Sequence, residues 1–122
     1  MNLNSVAQLD DIDGGEISDE LIVENILDKL PFSEASAFIK ACAAKLGHGA
    51  KLVLQSTDLM FVAKLLNSRK ITVEDGNAIL YGDLRCSAYS PTFLENALKE
   101  NGLKVLKHRM VGASVLIVAE RP

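Results

Sequence analysis

The reactive side chains of this sequence are few: two cysteines, two histidines and the carboxylates. Cys42 and Cys86 are lone thiols without CxxC spacing, and Cys42 falls among alanines in a helical pattern. That pattern suits a buried, reduced thiol better than a redox or metal-binding one. His48 lies between glycines in a turn, and His108 stands between Lys107 and Arg109 in a strand pattern. Both read as surface residues, and neither has an HxxxH, HxH or cysteine partner at metal-ligand spacing. No G-x-S-x-G, P-loop or Cys–His signature is present. The remaining candidates are Glu24, Asn25 and Asp28, which follow the apolar run Leu21-Ile22-Val23. If that run is a strand, these residues sit at its C-terminal end, the edge where open α/β sheets place ligands. They form the candidate pocket, set against the plainer reading of a polar strand exit.

A chain of 122 residues supports one domain with a real core. With 48% hydrophobic and 24% charged residues it has a globular rather than a disordered composition. Met1 to Gln8 has no signal-peptide pattern, and no apolar run nears the ~20 residues that span a bilayer. These features point to a cytoplasmic chain with no membrane partner. Nucleic acid is not an expected partner either, because no Lys/Arg cluster is interleaved with aromatics. The charge is unevenly distributed. Residues 1–28 hold eight acids and no Lys or Arg, whereas the rest carries all 13 bases against the other eight acids. Such halves can attract each other within the fold or across an interface, although a solvated acidic leader is the plainer reading.

The elements that must position the candidates read as follows. Leu3, Val6, Leu9 and Ile12 recur at threes and allow a short helix, and Gly14-Gly15 breaks the chain. Leu21-Ile22-Val23 suits a buried strand. Pro31 precedes a helix over Glu34 to Leu46 that Ser33 can cap, with Ala35, Phe38, Ile39, Cys42 and Leu46 on its inner side. Gly47 is expected as a left-handed stop. A second strand begins at Lys51, and Ser56 or Thr57 can cap a helix whose apolar side is Leu59, Val62, Leu65 and Leu66. Thr72 caps a short helix to about Leu80. Gly82 to Tyr89 reads as loop, and Ser90-Pro91 starts a helix that Asn101-Gly102 stops. Leu103 to Arg109 and Ala113 to Ala119 read as two strands, joined too tightly to be parallel.

These residues also carry a resemblance. The stretch from Asp19 to Asp58 is similar to the middle of a class I S-adenosylmethionine-dependent methyltransferase domain, where a "DxI…VLEHL" segment precedes a helix and an "LKPGG" turn. Ile26-Leu27-Asp28-Lys29-Leu30 matches the first motif, and Lys45-Leu46-Gly47-His48-Gly49 the second. Tyr81-Gly82 resembles the "YG" of one subfamily, and Ser90-Pro91-Thr92-Phe93-Leu94 with Asn101-Gly102-Leu103 resembles "SPEFL…AGF". The resemblance implies an α/β fold: a truncated Rossmann-like methyltransferase domain, with a mixed sheet of about four strands and an antiparallel C-terminal strand pair. Residues 1–18 then form an acidic N-terminal arm, and 19–122 the C-terminal half of the domain.

The family's glycine-rich loop and ribose-binding acid belong to strands for which Met1 leaves no room, and Asp28-Lys29 stands where the family has Glu-His. No cofactor is therefore expected for the chain alone, and S-adenosylmethionine only if a partner completes the site. In the family the fourth strand pairs with the first, so Leu21, Ile22 and Val23 are expected to present an open edge. Either the arm covers that edge or a second copy pairs there, and a homodimer is the favoured expectation. Three functions follow: a non-catalytic domain acting through protein contacts, the substrate-side half of a split methyltransferase completed by a partner protein, or a small-molecule binding module.

Overall fold

The computed structural model describes residues 1–122, and its centre is a parallel pair of short apolar strands. β1 (Glu20–Val23) aligns Leu21 with Leu52 and Val23 with Leu54 of β2 (Lys51–Thr57). Side chains alternate across a strand, so these four point to one face, where each is at most 1% exposed. β3 (Lys104–Val111) and β4 (Ser114–Glu120) form the antiparallel hairpin expected from their tight connection. Gly112, at φ 60, opens the two-residue turn as such hairpins require. β4 then pairs antiparallel with β2, giving the order β1-β2-β4-β3. The result is the α/β, four-stranded mixed sheet anticipated above.

Helices cover one face of this sheet. α1 (Val6–Asp10) contributes Leu9 to the core. α2 (Phe32–Ala44) buries Ala35, Phe38, Ile39 and Cys42, as its periodicity predicts. Ser33 does not cap it: Pro31 is the N-cap, because its fixed φ of −56° already sets the entry and leaves Ser33 inside the first turn. α3 (Leu59–Asn67) is capped by Asp58, whose Oδ1 accepts from the N–H groups of Met60 at 2.9 Å and Phe61 at 3.3 Å. Ser56 and Thr57 are instead the last residues of β2, held there by pairing with β4. α3 buries Val62, but Leu59, assigned to its apolar side from the sequence, is 45% exposed. α4 (Val73–Tyr81) has the Thr72/Asp75 capping box, and α5 (Pro91–Glu100) starts at the Ser90 cap and buries Leu94, Ala97 and Leu98. The core cluster joins these α2 and α5 residues to Leu21, Val23, Leu52, Leu54, Val115, Ile117 and Ala119. On the opposite face Ile22, Val53, Gln55 and Leu116 are only half-buried.

The edge of β1 expected to stand open is occupied by the same chain. Asn2 bridges Ile22 in parallel; the Ile22 N–H donates to Met1 O and the Leu3 N–H to Ile22 O, both at 2.8 Å. Strand edges carry backbone donors and acceptors that must be satisfied, and the nearest available segment satisfies them. Four side chains anchor residues 1–18 in the core, Leu3, Leu9, Ile12 and Ile17, each under 7% exposed. Gly47 is not the left-handed residue of the turn after α2; Gly49 is, at φ 77. Gly47 is required for close approach, because a Cβ there would lie 2.9 Å from Gly15 O and 3.2 Å from Ile17 O.

If the edge depends on the arm, Leu3→Ala should lower stability by about 2 kcal/mol or more in urea unfolding, the usual range for a buried leucine. Hydrogen exchange should show the Ile22 amide losing protection before the Val53 amide. An unchanged urea midpoint would mean that the arm does not hold the edge.

Candidate functional site

Three connections meet at the C-terminal edge of β1 and β2. After β1 the chain reverses at Asn25, a non-glycine residue at φ 58, and enters a short helical turn, Leu27–Lys29. After β2 it passes through Asp58 into α3, and the loop from Gly82 to Tyr89 crosses both exits before α5. Asp28, only 3% exposed, ties the three together. Its Oδ2 accepts from the Thr57 hydroxyl at 2.9 Å and the Thr57 N–H at 3.3 Å. Its main-chain carbonyl accepts from the N–H groups of Cys86 at 2.8 Å and Ser87 at 3.1 Å. Ser87 Oγ donates to Leu30 O at 2.7 Å and lies 2.8 Å from the Tyr89 hydroxyl. Burial raises the Tyr89 phenol above its ordinary range; the Ser87 hydrogen bond opposes that rise and the charge of Asp28 adds to it. Tyr89 also bonds its backbone to Thr57 O and to the Leu59 N–H, at 3.0 and 2.8 Å. Asp28 Oδ1 alone has no partner. This buried network fixes the shape of the edge, and Tyr89 carries it to the surface.

The outer surface of that edge is apolar. Phe32 packs on Tyr89 and Phe93 with ring centroids 5.9 and 5.3 Å away, and Tyr89 and Phe93 lie 5.6 Å apart. Such separations are those of offset and tilted aromatic contacts. Phe32, Leu59, Met60, Tyr89 and Phe93 line a cleft of about 230 Å³. Phe32, Leu59 and Met60 remain 58%, 45% and 63% exposed.

The three residues singled out from the sequence do not share one cleft. Glu24 and Asn25 are exposed and meet Asn2, Leu3 and Asn4 of the arm around a polar cleft of about 180 Å³. Asp28 is directed inward to Thr57. Leu21 and Val23 are fully buried and Ile22 is half-buried beneath the arm. His48 is exposed, with Nδ1 2.8 Å from Pro122 O, and His108 pairs with Glu95 at 2.8 Å. No three His, Cys, Asp or Glu side chains are grouped to hold a metal ion, and no helix is long and apolar enough to cross a membrane. The sequence reading missed Thr57, Ser87 and Phe32. The polar pair Thr57-Asp58 closing an apolar strand was the available signal.

No family model matches the chain, and no curated protein matches it. Solved structures do. Magnesium protoporphyrin IX methyltransferase from Synechocystis, with bound SAH, superimposes at a TM-score of 0.66 with 19% identity over 93% of this chain and 48% of that one. An O-methyltransferase family protein from Burkholderia thailandensis gives 0.64 with 16% identity, over 99% of this chain and 34% of its own. A Haloferax volcanii methyltransferase, solved in complex with a methyltransferase activator, gives 0.63 with 10% identity, over 91% and 57%. The chain therefore has the fold of part of an S-adenosylmethionine-dependent methyltransferase domain. It spans about half or less of the first of these structures. The fit of that cofactor to the residues present is poor. The two clefts at the strand ends, about 180 and 230 Å³, fall below the ~300 Å³ at which ligand pockets begin. Neither β1 nor β2 leads into a glycine-rich loop: Glu24-Asn25 follows one and Asp58-Leu59 the other.

Two outcomes follow from this geometry. Asp28→Ala and Thr57→Val should each destabilise the chain, while the double variant loses about 1 kcal/mol less than their sum, as a shared buried hydrogen bond requires; strict additivity in urea unfolding would sink the link. Burial pushes the Cys42 thiol up to about 12, whereas Cys86 is exposed. Thiol labelling of the folded chain at neutral pH should modify Cys86 and spare Cys42 until denaturant is added.

Proposed function

We propose that this methyltransferase-like domain acts through contact with another polypeptide at the C-terminal edge of its sheet, rather than as a self-contained transferase. The observation that carries the reading is the exposure of Phe32, Leu59 and Met60 around one cleft. Contiguous exposed apolar side chains at a shaped surface mark contact sites. The cleft, at about 230 Å³, suits one large side chain of a partner better than a whole metabolite. The Asp28–Thr57–Ser87–Tyr89 network behind it holds the surface in shape before binding, which lowers the ordering cost of association.

A second reading is the substrate-side half of a split methyltransferase, with S-adenosylmethionine bound once a partner chain supplies the remaining elements. The limited share of the solved methyltransferases that this chain spans supports it. A partner entering beside β1 would have to displace Met1 to Leu3, which favours the first reading. The small-molecule module rests on the polar cleft of Glu24 and Asn25, and its size, about 180 Å³, supports it least. A homodimer, if formed, needs a surface other than the occupied β1 edge.

Calorimetric titration of the purified chain with S-adenosylmethionine and S-adenosylhomocysteine should give no saturable heat up to millimolar ligand. A dissociation constant near micromolar, about 8 kcal/mol of binding, would overturn the reading. In parallel, the tagged chain should retain a stoichiometric protein from its native host, and Met60→Asp should lose that protein with an unchanged urea midpoint. Equal retention by both chains would remove the cleft from the interface.

A further inference from the structure

The charge asymmetry of the sequence is not neutralised inside the fold. Apart from His108–Glu95, the structure contains one ion pair, Lys29–Asp83 at 3.5 Å. Of the acid-rich segment, residues 1–28, Met1 to Leu3 run beside β1, and Gly15 to Ile17 run beside the end of α2. The basic strand β3, with Lys104, Lys107 and Arg109, is at the other end of the order β1-β2-β4-β3. The acids of that segment and the bases of β3 are therefore too far apart to pair with each other; within the chain β3 has only Glu95, paired with His108, and Glu120, opposite Lys104.

Each end also carries unpartnered apolar surface. Between α1 and α2 runs a groove of about 260 Å³, where Val6 and Ala37 are exposed, Leu30 and Ala41 half-buried, and Asp10 and Glu34 add carboxylates. At the far edge β3 leaves Leu106, Met110 and Val111 roughly two-fifths exposed. The ladder shifts between Val105 and Lys107, so Leu106 is displaced from regular pairing. A bulge of this kind re-aims a side chain and ends strand addition at an edge. Two β3 strands are also poor partners for each other, since each brings Lys104, Lys107 and Arg109 and no acid to the shared edge. A strand with apolar side chains between bases fits an apolar groove rimmed by acids.

We propose that the acid-rimmed groove between α1 and α2 receives Leu106, the side chain at the β3 bulge between Lys104 and Lys107, from a second copy of this chain. The occupant is selected by charge complementarity and by the presence of both surfaces on one molecule. The contact is heterologous: groove meets strand, one copy keeps its strand free and the other its groove, so copies add head to tail. Electrostatic attraction across such a contact acts chiefly on encounter and specificity and weakens with salt. This proposal does not depend on the reading of the Phe32–Met60 cleft.

Sedimentation velocity on the full chain tests it. Association should grow with protein concentration at ~50 mM salt and weaken about tenfold or more at ~500 mM. Ala37→Trp, at an exposed groove position, blocks the groove and keeps the strand; Lys107→Glu/Arg109→Glu spoils the strand and keeps the groove. Each variant alone should be monomeric, with wild-type circular dichroism. Their equimolar mixture should form one-to-one dimers and nothing larger, because only one productive contact remains. If either variant unfolds, Ala41→Trp and Lys107→Gln/Arg109→Gln replace them. A wild-type chain that stays monomeric at low salt would overturn the proposal. So would association that the variants leave unchanged, or a mixture that stays monomeric.

Discussion

A sheet can end only where its outermost backbone groups find partners or water, and this constraint shapes the chain from its first residues. β1 is apolar on both faces, with Leu21 and Val23 in the core and Ile22 half-buried opposite them, so its free edge would be a sticky one. The chain answers locally. Met1 to Leu3 lie along the edge, and Leu3, Leu9, Ile12 and Ile17 fasten the returning segment to the core. What composition suggests is a solvated acidic leader is a structural layer whose acids face outward while its aliphatic residues face in. The same arrangement concentrates negative charge at one end of the molecule.

The second organising contact is the buried carboxylate of Asp28. Its side chain holds Thr57 at the end of β2, and its carbonyl holds the loop at Cys86 and Ser87. Buried acceptors are costly when unmade, so a group that serves three connections at once makes their positions interdependent. The surface in front of it, formed by Phe32, Leu59 and Met60, therefore rests on a fixed floor.

Much of the architecture could be read from the sequence because its signals are local. The apolar runs at Leu21 and Leu52, the Thr72 and Ser90 caps and the tight link before Ser114 all depend on neighbouring residues. Local signals mislead where distant residues decide. Thr57 resembles a cap but continues a strand because Ser114 pairs with it. Gly47 resembles a left-handed stop but is small because Gly15 and Ile17 press against it. Leu59 has helical spacing for the core, yet the preceding Asp58 cap turns α3 so that it faces solvent. Of the candidate residues, Asp28 is visible as a polar strand exit; its partner Thr57 also closes a strand, but it lies 29 positions away and nothing local joins the two.

One consequence of the Asp28–Thr57 bond concerns alignment. In an ordinary half-buried strand, slipping by one residue turns the apolar set outward, and hydrophobicity alone forbids it. Leu21-Ile22-Val23 and Leu52-Val53-Leu54 are apolar at every position, so a slip would exchange one greasy row for another at little cost. The distinction has to come from groups that cannot be exchanged. A one-step shift would pull the Thr57 hydroxyl about 3.3 Å, one residue's rise, away from Asp28 and strand the carboxylate in a dry interior. The polar pair at the end of the strands thus acts as a stop that selects one setting among several equally oily ones.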